Sequence, residues 1–415
     1  MTGDAPHLRA DFDALAAIGA DPAGGWSRPA YGPEECAAHE WFAARAHAIG
    51  MSVRQDAFGN SIARLPGADD LPVLVIGSHL DTVAQGGLYD GALGVLAGLE
   101  VARRIAGDAT PQARPLEVIA FRDEEGRFGA FTGSRAMAGQ LPEDALARMR
   151  AADGAVLGPA MAAAGFAPAR ADAARRDMSG IAAYLELHIE QGPVLEAAGE
   201  PLGVVTAIAG QERFSVRFTG EAGHAGTTPM TQRHDAFAAA ARFADRFREM
   251  ILAEGKSSAR GTIGIVKLSP NQGNVIPSEV TLGLEIRDIS AQLLADLAAR
   301  VAVIATEAAE AMGVTAQCRR SYGAAPVPMN AGLISVIEEA ARAAGFAAPR
   351  LPSGANHDAG VIGALVPAAM LFVPSVGGLS HAPEEHTDWP HIVAATDVLE
   401  SVTRRLLGAR DIPSC

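Results

Sequence analysis

The chain has 415 residues, of which 49% are hydrophobic and 20% charged, a balance that supports buried cores and excludes a disordered or fibrous polymer. Its length exceeds what one hydrophobic core usually organises, so two domains are expected. A formal charge of −14 repels phosphate backbones and anionic lipid, which excludes nucleic acid and membrane surfaces as partners and points to small molecules.

The opening residues, MTGDAPHLRADFDALAAIG, lack the basic and apolar regions of a secretory signal. No window approaches 18 uninterrupted apolar residues, so no membrane span is expected. Cys36, Cys318 and Cys415 are odd in number and far apart, which fits a reduced, cytoplasmic compartment.

From Leu71 the pattern alternates. LPVLVIGSH is an apolar run of strand length, GALGVLAGLEVARRI has helical spacing, and PLEVIAF is a second buried strand. Short buried strands alternating with helices predict an α/β domain with a mostly parallel sheet, in which ligands bind beyond the carboxyl ends of the strands. Residues 151–176 are alanine-rich and compatible with helix.

The middle of the chain reads as a strand over Gln211–Phe218, a helix from about Thr231 to Ala253, strands GTIGIVKLSP and SEVTLGLEIRD, a helix from about Ala291 to Met312, and the strand VTAQCRR. That β-α-β-β-α-β order is the ferredoxin-like α+β unit. Residues 211–325 are therefore expected as a domain inserted into a discontinuous one of residues 1–210 and 326–415. APVPMN reads as the return linker, followed by a helix near Gly332–Ala344, the strand AAMLFVP and a helix from about Trp389.

Strand exits carry metal-type side chains. GSHLDTV holds His79 and Asp81, YDG places Asp90 ahead of a helix, RDEEG holds Asp123, Glu124 and Glu125, HIEQGP holds His188, and GGLSHAPEE holds His381. A lone histidine or acidic turn is usually structural. Several at one sheet edge suit a catalytic site for zinc, cobalt or manganese, because histidine and carboxylate ligands without cysteine match those ions. Asp90 has two oxygens and can bridge two cations, and cations between them let adjacent carboxylates coexist. Asp81 is placed to hydrogen-bond the His79 imidazole.

GSHLDTV, YDGALGVLAGLEV, RDEEGRFG, LELHIEQGPVLE, GEAGHAGTTPM, GNVIPSEV with EIRD, and GGLSHAPEE together resemble the hydantoinase/carbamoylase amidases. These belong to a dinuclear-metal clan that includes aminoacylases and carboxypeptidases. The resemblance implies one metal on His79, Asp90 and His188 and a second on Asp90, Glu125 and His381, with zinc favoured and manganese, cobalt or nickel as alternatives. It implies Glu124 as general base, and a clamp of Arg287, Asn274 and Gln191 for a substrate carboxylate. His224 would act on the scissile carbonyl, delivered from a neighbouring subunit of a homodimer that pairs through the inserted, lid-forming domain. A strained peptide after Asp90, with a cis bond as one form of it, also belongs to this pattern.

The implied reaction is hydrolysis of an N-carbamoyl-L-amino acid to the amino acid, carbon dioxide and ammonia. An allantoate or other ureido-acid amidohydrolase would use the same groups. Dipeptidase or aminoacylase activity is a more distant alternative, disfavoured by His188 followed by Gln191. Asn356 in SGANHDAG departs from the glycine of relatives, and His357 and Asp358 beside it have no assigned chemistry.

Overall fold

The structure, a computed structural model, describes residues 5–68, 71–108, 112–254 and 258–413. Cys415 lies outside these residues, and Cys36 and Cys318 are free thiols. None of the described helices is long and apolar enough to cross a membrane.

The chain first lays down β1 (Ser52–Gln55), β2 (Ser61–Leu65), β3 (Val73–His79), β4 (Leu116–Phe121), β5 (Ile181–Ile189) and β6 (Gly203–Ile208). It then forms β7 (Gly210–Thr219), β8 (Gly223–His224), β9 (Arg260–Ser269), β10 (Val275–Ile276), β11 (Glu279–Asp288) and β12 (Thr315–Ala324). It ends with β13 (Val327–Pro328), β14 (Arg350–Ser353) and β15 (Ala368–Val373).

The large sheet runs β1-β2-β4-β3-β5-β15-β6-β13, with β14 also on β6. Its middle, β4-β3-β5-β15, is parallel. The flanks are antiparallel, so the sheet is mixed at its edges. The cause is local on one side, where β1 and β2 join through a short turn that only antiparallel strands allow. Asp56 builds that turn by accepting the backbone N–H groups of Phe58, Gly59 and Asn60.

Every residue of β3, β4 and β15 is buried, as expected of parallel strands covered on both faces. The helix Ala92–Ala106 is buried without a break from Ala92 to Ala102. Gly94 permits this close seating, since a Cβ there would stand 2.6 Å from the Leu187 carbonyl oxygen and 2.8 Å from Ser78 Cβ. Between residues 151 and 176 only Leu157–Ala163 is α-helical, and Pro168–Ala174 forms a 3-10 segment.

The chain divides into two compact units, one reaching Thr206 and resuming at Met329, the other spanning Ala207–Pro328. The division lies a few residues outside 211–325 on both sides. The linker segment is not wholly irregular, because β13 pairs with β6 through Val327 opposite Ile208 and Pro328 opposite Ala207.

In the second unit the sheet order is β12-β7-β11-β9, every neighbour antiparallel. Numbered within the unit this is 4-1-3-2, the order that β-α-β-β-α-β chains adopt when both helices cover one face. Phe218, Phe243, Phe247, Val280 and Leu297 form part of its core. The first helix starts at Ala236 rather than near Thr231, because the Asp235 carboxylate caps it by accepting from Phe237 N and Ala238 N. The second, Ala291–Ala311, is capped in the same way by Ser290. The two-residue strands β8 and β10 form a separate ribbon that the sequence pattern does not foretell.

Arg122, the first residue after β4, is buried and ties the strand exit to the first layer of the fold. Its guanidinium pairs with Glu35 and donates from Nε to Gly59 O at 2.8 Å. The backbone N–H of Arg122 donates to Asn60 Oδ1 at 3.1 Å. The guanidinium carbon also stands 5.3 Å from the Tyr31 ring centroid and 4.9 Å from that of Phe166. Removing one partner leaves the other charge buried and unpaired. Arg122→Ala is expected to lower unfolding free energy by about 3–5 kcal/mol, read from urea denaturation; a loss within experimental error would show that the pair does not anchor this strand.

Candidate metal centre

Because β3, β4, β5 and β15 run parallel, their carboxyl ends open on one edge. His79 closes β3 and pairs in register with Phe121 of β4. His188 in β5 stands opposite Phe372 of β15. Asp90 precedes the helix Ala92–Ala106, and His381 lies eight residues after the end of β15.

These residues meet. His188 Nε2 is 3.1 Å and His79 Nε2 3.7 Å from Asp90 Oδ1. His381 Nε2 is 3.2 Å from Asp90 Oδ2 and 3.3 Å from Glu125 Oε2. His79, Asp90 and His188 offer one set of converging ligand atoms, and Asp90, Glu125 and His381 another, with atoms of each set within 4.8 Å of one another. Asp90 thus presents one oxygen to each set.

The imidazoles are held in one tautomer. His79 Nδ1 lies 3.0 Å from Asp81 O, and His188 Nδ1 lies 2.9 Å from Ile189 O. A carbonyl only accepts, so each Nδ1 carries a proton, and Nε2 is the ring atom that each imidazole turns toward Asp90. His79 Nε2 is buried and has no hydrogen-bond partner among the described residues, an arrangement that a divalent cation relieves. Gly91 makes room for it: with φ +65°, a Cβ there would stand 2.3 Å from His79 Nε2. The donor set and its geometry fit divalent metal.

The backbone strain expected after Asp90 is carried by this glycine. The cis bond is not there: among the described residues the cis peptide is Ser269–Pro270. A glycine with φ +65° and ψ −49° turns the chain without one.

Around the acidic strand exit, three neighbouring carboxyls do different work. Asp123, at φ 54°, accepts from Phe128 N at 3.2 Å and Thr132 Oγ1 at 2.6 Å, so it shapes the following loop. Glu124 turns its Oε2 to 3.5 Å from His79 Nε2. Glu125 faces His381. Burial, with Asp90 next in weight, pushes the Glu125 carboxyl up to about 7. Burial also raises that of Glu124 well above its ordinary range, although His79 opposes the shift. Asp81 serves the acids more than the imidazole. Its carboxylate is 3.6 Å from His79 Nδ1, too far to bind it, and instead accepts from Glu124 N at 3.2 Å and Glu125 N at 3.1 Å.

Gln191, expected in the carboxylate clamp, donates from Nε2 to Asp90 Oδ2 at 2.8 Å. Its Oε1 is buried without a hydrogen-bond partner among the described residues. That free atom is an acceptor and suits a ureido N–H rather than a carboxylate.

Arg287 and Asn274 do not meet either. Asn274 O accepts from Ala225 N at 3.0 Å, on the ribbon that carries His224, and both His224 and Asn274 are exposed. This ribbon leads into the Glu279 end of β11, whereas Arg287 sits eight residues further, opposite Gln211. Along a strand that is roughly 26 Å. Arg287 Nε is 3.0 Å from Glu285 Oε1.

The sequence pattern does not single out Glu385. It is buried, and its Oε1 accepts from both Tyr89 N and Asp90 N at 3.0 Å. Its Oε2 accepts from Ser380 Oγ at 2.9 Å, and the same hydroxyl lies 3.0 Å from Asp90 Oδ2. Glu385 therefore joins the loop of Asp90 to the loop of His381. It lies four residues after His381 within HAPEEH, but an acid in a polar loop reads as solvated until its partners are known. His357 and Asp358 are buried too. The His357 ring lies 4.4 Å from that of His188, centroid to centroid, and its Nε2 is 2.9 Å from Ser353 Oγ. Burial and then Glu186 push the Asp358 carboxyl up to about 8, so it is largely neutral at pH 7. Asn356 precedes them, half-buried.

Glu385→Ala frees the Tyr89–Asp90 backbone and is expected to weaken metal binding about 10- to 100-fold. Glu385→Gln keeps an acceptor oxygen for both N–H groups and should retain much of the affinity. Competition against a chromogenic chelator measures both, and equal affinity in Glu385→Ala and the unaltered protein would remove this role.

Residues 75–405 match the family model for peptidase family M20/M25/M40. The chain is 40% identical to an N-carbamoyl-L-amino acid amidohydrolase of Geobacillus stearothermophilus, over 93% of this chain and 94% of that one. It is 37% identical to an allantoate amidohydrolase of Bacillus subtilis, with 90% of each chain covered. A hydantoinase/carbamoylase family amidase from Burkholderia phymatum superposes with a TM-score of 0.89 at 35% identity, covering 98% of both chains. With its metal-type cluster at the strand exits and a family match across most of its length, the chain belongs to peptidase family M20/M25/M40.

Proposed function

We propose that the protein is a metal-dependent amidohydrolase that cleaves the carbamoyl amide of an N-carbamoyl-L-amino acid, giving the amino acid, carbon dioxide and ammonia. The observation that carries this reading is the pair of ligand sets sharing Asp90, with Glu124 outside both sets and its Oε2 3.5 Å from His79 Nε2. The similarity to carbamoyl-amino-acid amidohydrolases over nearly the whole chain supports the substrate class. The similarity to an allantoate amidohydrolase keeps allantoate as the second reading.

His79, Asp90 and His188 would hold one cation, and Asp90, Glu125 and His381 the other, with zinc the first choice and manganese, cobalt or nickel the alternatives. Bound there, divalent cations supply a water of lowered pKa and polarise the scissile carbonyl. The Glu124 carboxylate would take a proton from the attacking water as its oxygen adds to the carbamoyl carbon. It then returns the proton to the departing amino-acid nitrogen, leaving carbamate, which breaks down to carbon dioxide and ammonia. Gln191 Oε1 accepts a ureido N–H, and Arg287 grips the α-carboxylate through its planar fork. His224 donates to the developing oxyanion.

Arg287 faces Gln211 at one end of β11, whereas His224 lies on the ribbon five residues beyond Thr219, which faces Glu279 at the other end. An N-carbamoyl amino acid is too small to touch both in one chain, since eight extended residues span roughly 26 Å. The reading therefore includes a homodimer, with His224 and Asn274 reaching the site of a second copy.

Glu124→Gln is expected to keep its metal and lose about 10²- to 10⁴-fold in turnover, assayed on N-carbamoyl amino acids and allantoate side by side. Near-full turnover with metal bound would remove Glu124 as the base, and a clear preference for allantoate would exchange the two substrate readings. A 1:1 mixture of refolded Glu124→Gln and His224→Ala chains is expected to recover about a quarter of full activity, because half the dimers are mixed and each holds one complete site. No recovery would place His224 in its own chain's site.

A further inference from the structure

Away from the metal centre, the first unit carries a cavity of about 560 Å³ beside β1, lined in part by Arg54, Arg170, Arg175, Arg176 and Phe166. None of its lining residues belongs to the two ligand sets. In a chain of net charge −14, four guanidinium groups around one hollow are a local reversal of sign. Like charges gathered in this way repel one another and are ordinarily neutralised by neighbouring acids.

Two of the neighbouring acids are spent, while Asp172 and Asp177 line an adjoining hollow with Arg175 and Arg176. Arg176 is the one of the four with an ion pair, 2.5 Å from Glu117 Oε2. Glu117 is shared, since its other oxygen holds Arg64 at 3.1 Å. Asp56 also lines the cavity, but its carboxylate accepts three backbone N–H groups and the Asn60 amide. Among the described residues, the guanidinium groups of Arg54, Arg170 and Arg175 have neither hydrogen bond nor ion pair. Phe166 adds a flat apolar wall.

We propose that this cavity binds a small organic polyanion, with phosphate or carboxylate groups on the arginines and a planar body against Phe166. Guanidinium forks match both anions bidentately. The volume falls within the range of small-molecule sites, and the three unpaired arginines, all exposed, supply positive charge for an anion that stays partly in contact with solvent. The site is independent of the hydrolytic reading, since it shares no residue with it.

Two planar probes separate the chemistries: AMP carries phosphate and benzene-1,3,5-tricarboxylate carries carboxylates. Each is titrated calorimetrically into the metal-loaded full-length protein, into Arg170→Gln, and into the triple variant Arg54→Gln, Arg170→Gln, Arg175→Gln. At least one probe is expected to bind one per chain, to lose affinity about tenfold or more in the triple variant and part of that in Arg170→Gln, and to weaken as salt screens the pairs. Metal content and ureido-acid turnover without probe should stay unchanged in Arg170→Gln, whose side chain is exposed and unpaired. The probe that binds identifies the anion. Failure of both to bind, or equal binding by the unaltered protein and Arg170→Gln, overturns the proposal.

Discussion

The structure turns on Asp90, a buried carboxylate with three imidazoles around it and two further acids close by. Asp90, Glu124 and Glu125 cannot all be ionised in a buried place without cations among them. The fold does not hide this conflict; it holds it in place. Asp81 grips the backbone of the two glutamates, Glu385 grips the backbone of Asp90, and Gly91 clears the space at His79. Three residues outside both ligand sets thus help to fix the five that would touch metal.

Much of this was legible in the sequence because the governing pattern is local. Apolar runs ending in His79, Phe121 and Ile189 mark buried parallel strands, and polar residues at their ends mark the edge where sites form. The alternation of the inserted unit was likewise readable, since strand and helix periods differ. What stayed hidden depended on partners distant in sequence. Whether Glu385 is solvated or buried depends on Tyr89 and Asp90, and whether Gln191 faces a substrate carboxylate depends on Asp90 lying 2.8 Å away. The ribbon of β8 and β10 is too short to show any period.

The same reasoning separates the roles within the inserted unit. Arg287 stands at one end of β11 and the ribbon of His224 leads into the other, so under the proposed reaction the sheet acts as a ruler that keeps the two apart within one chain. Under the proposed reaction such a ruler would make pairing of chains a condition of completing the site, which differs from using association only for stability.

Glu385 also joins chain segments that are synthesised far apart in time. Its bonds to Tyr89 N and Asp90 N span 296 and 295 residues of sequence, and His381 closes a loop of similar length. A nascent chain can build β3, β4 and β5 early, but Asp90 has neither its anchor nor its distal imidazole until the C-terminal segment has emerged. Long-range closures of this kind form late in folding. The chain thus brings both candidate ligand sets together only after nearly all of it has been made, so that a truncated product would hold the second set incomplete.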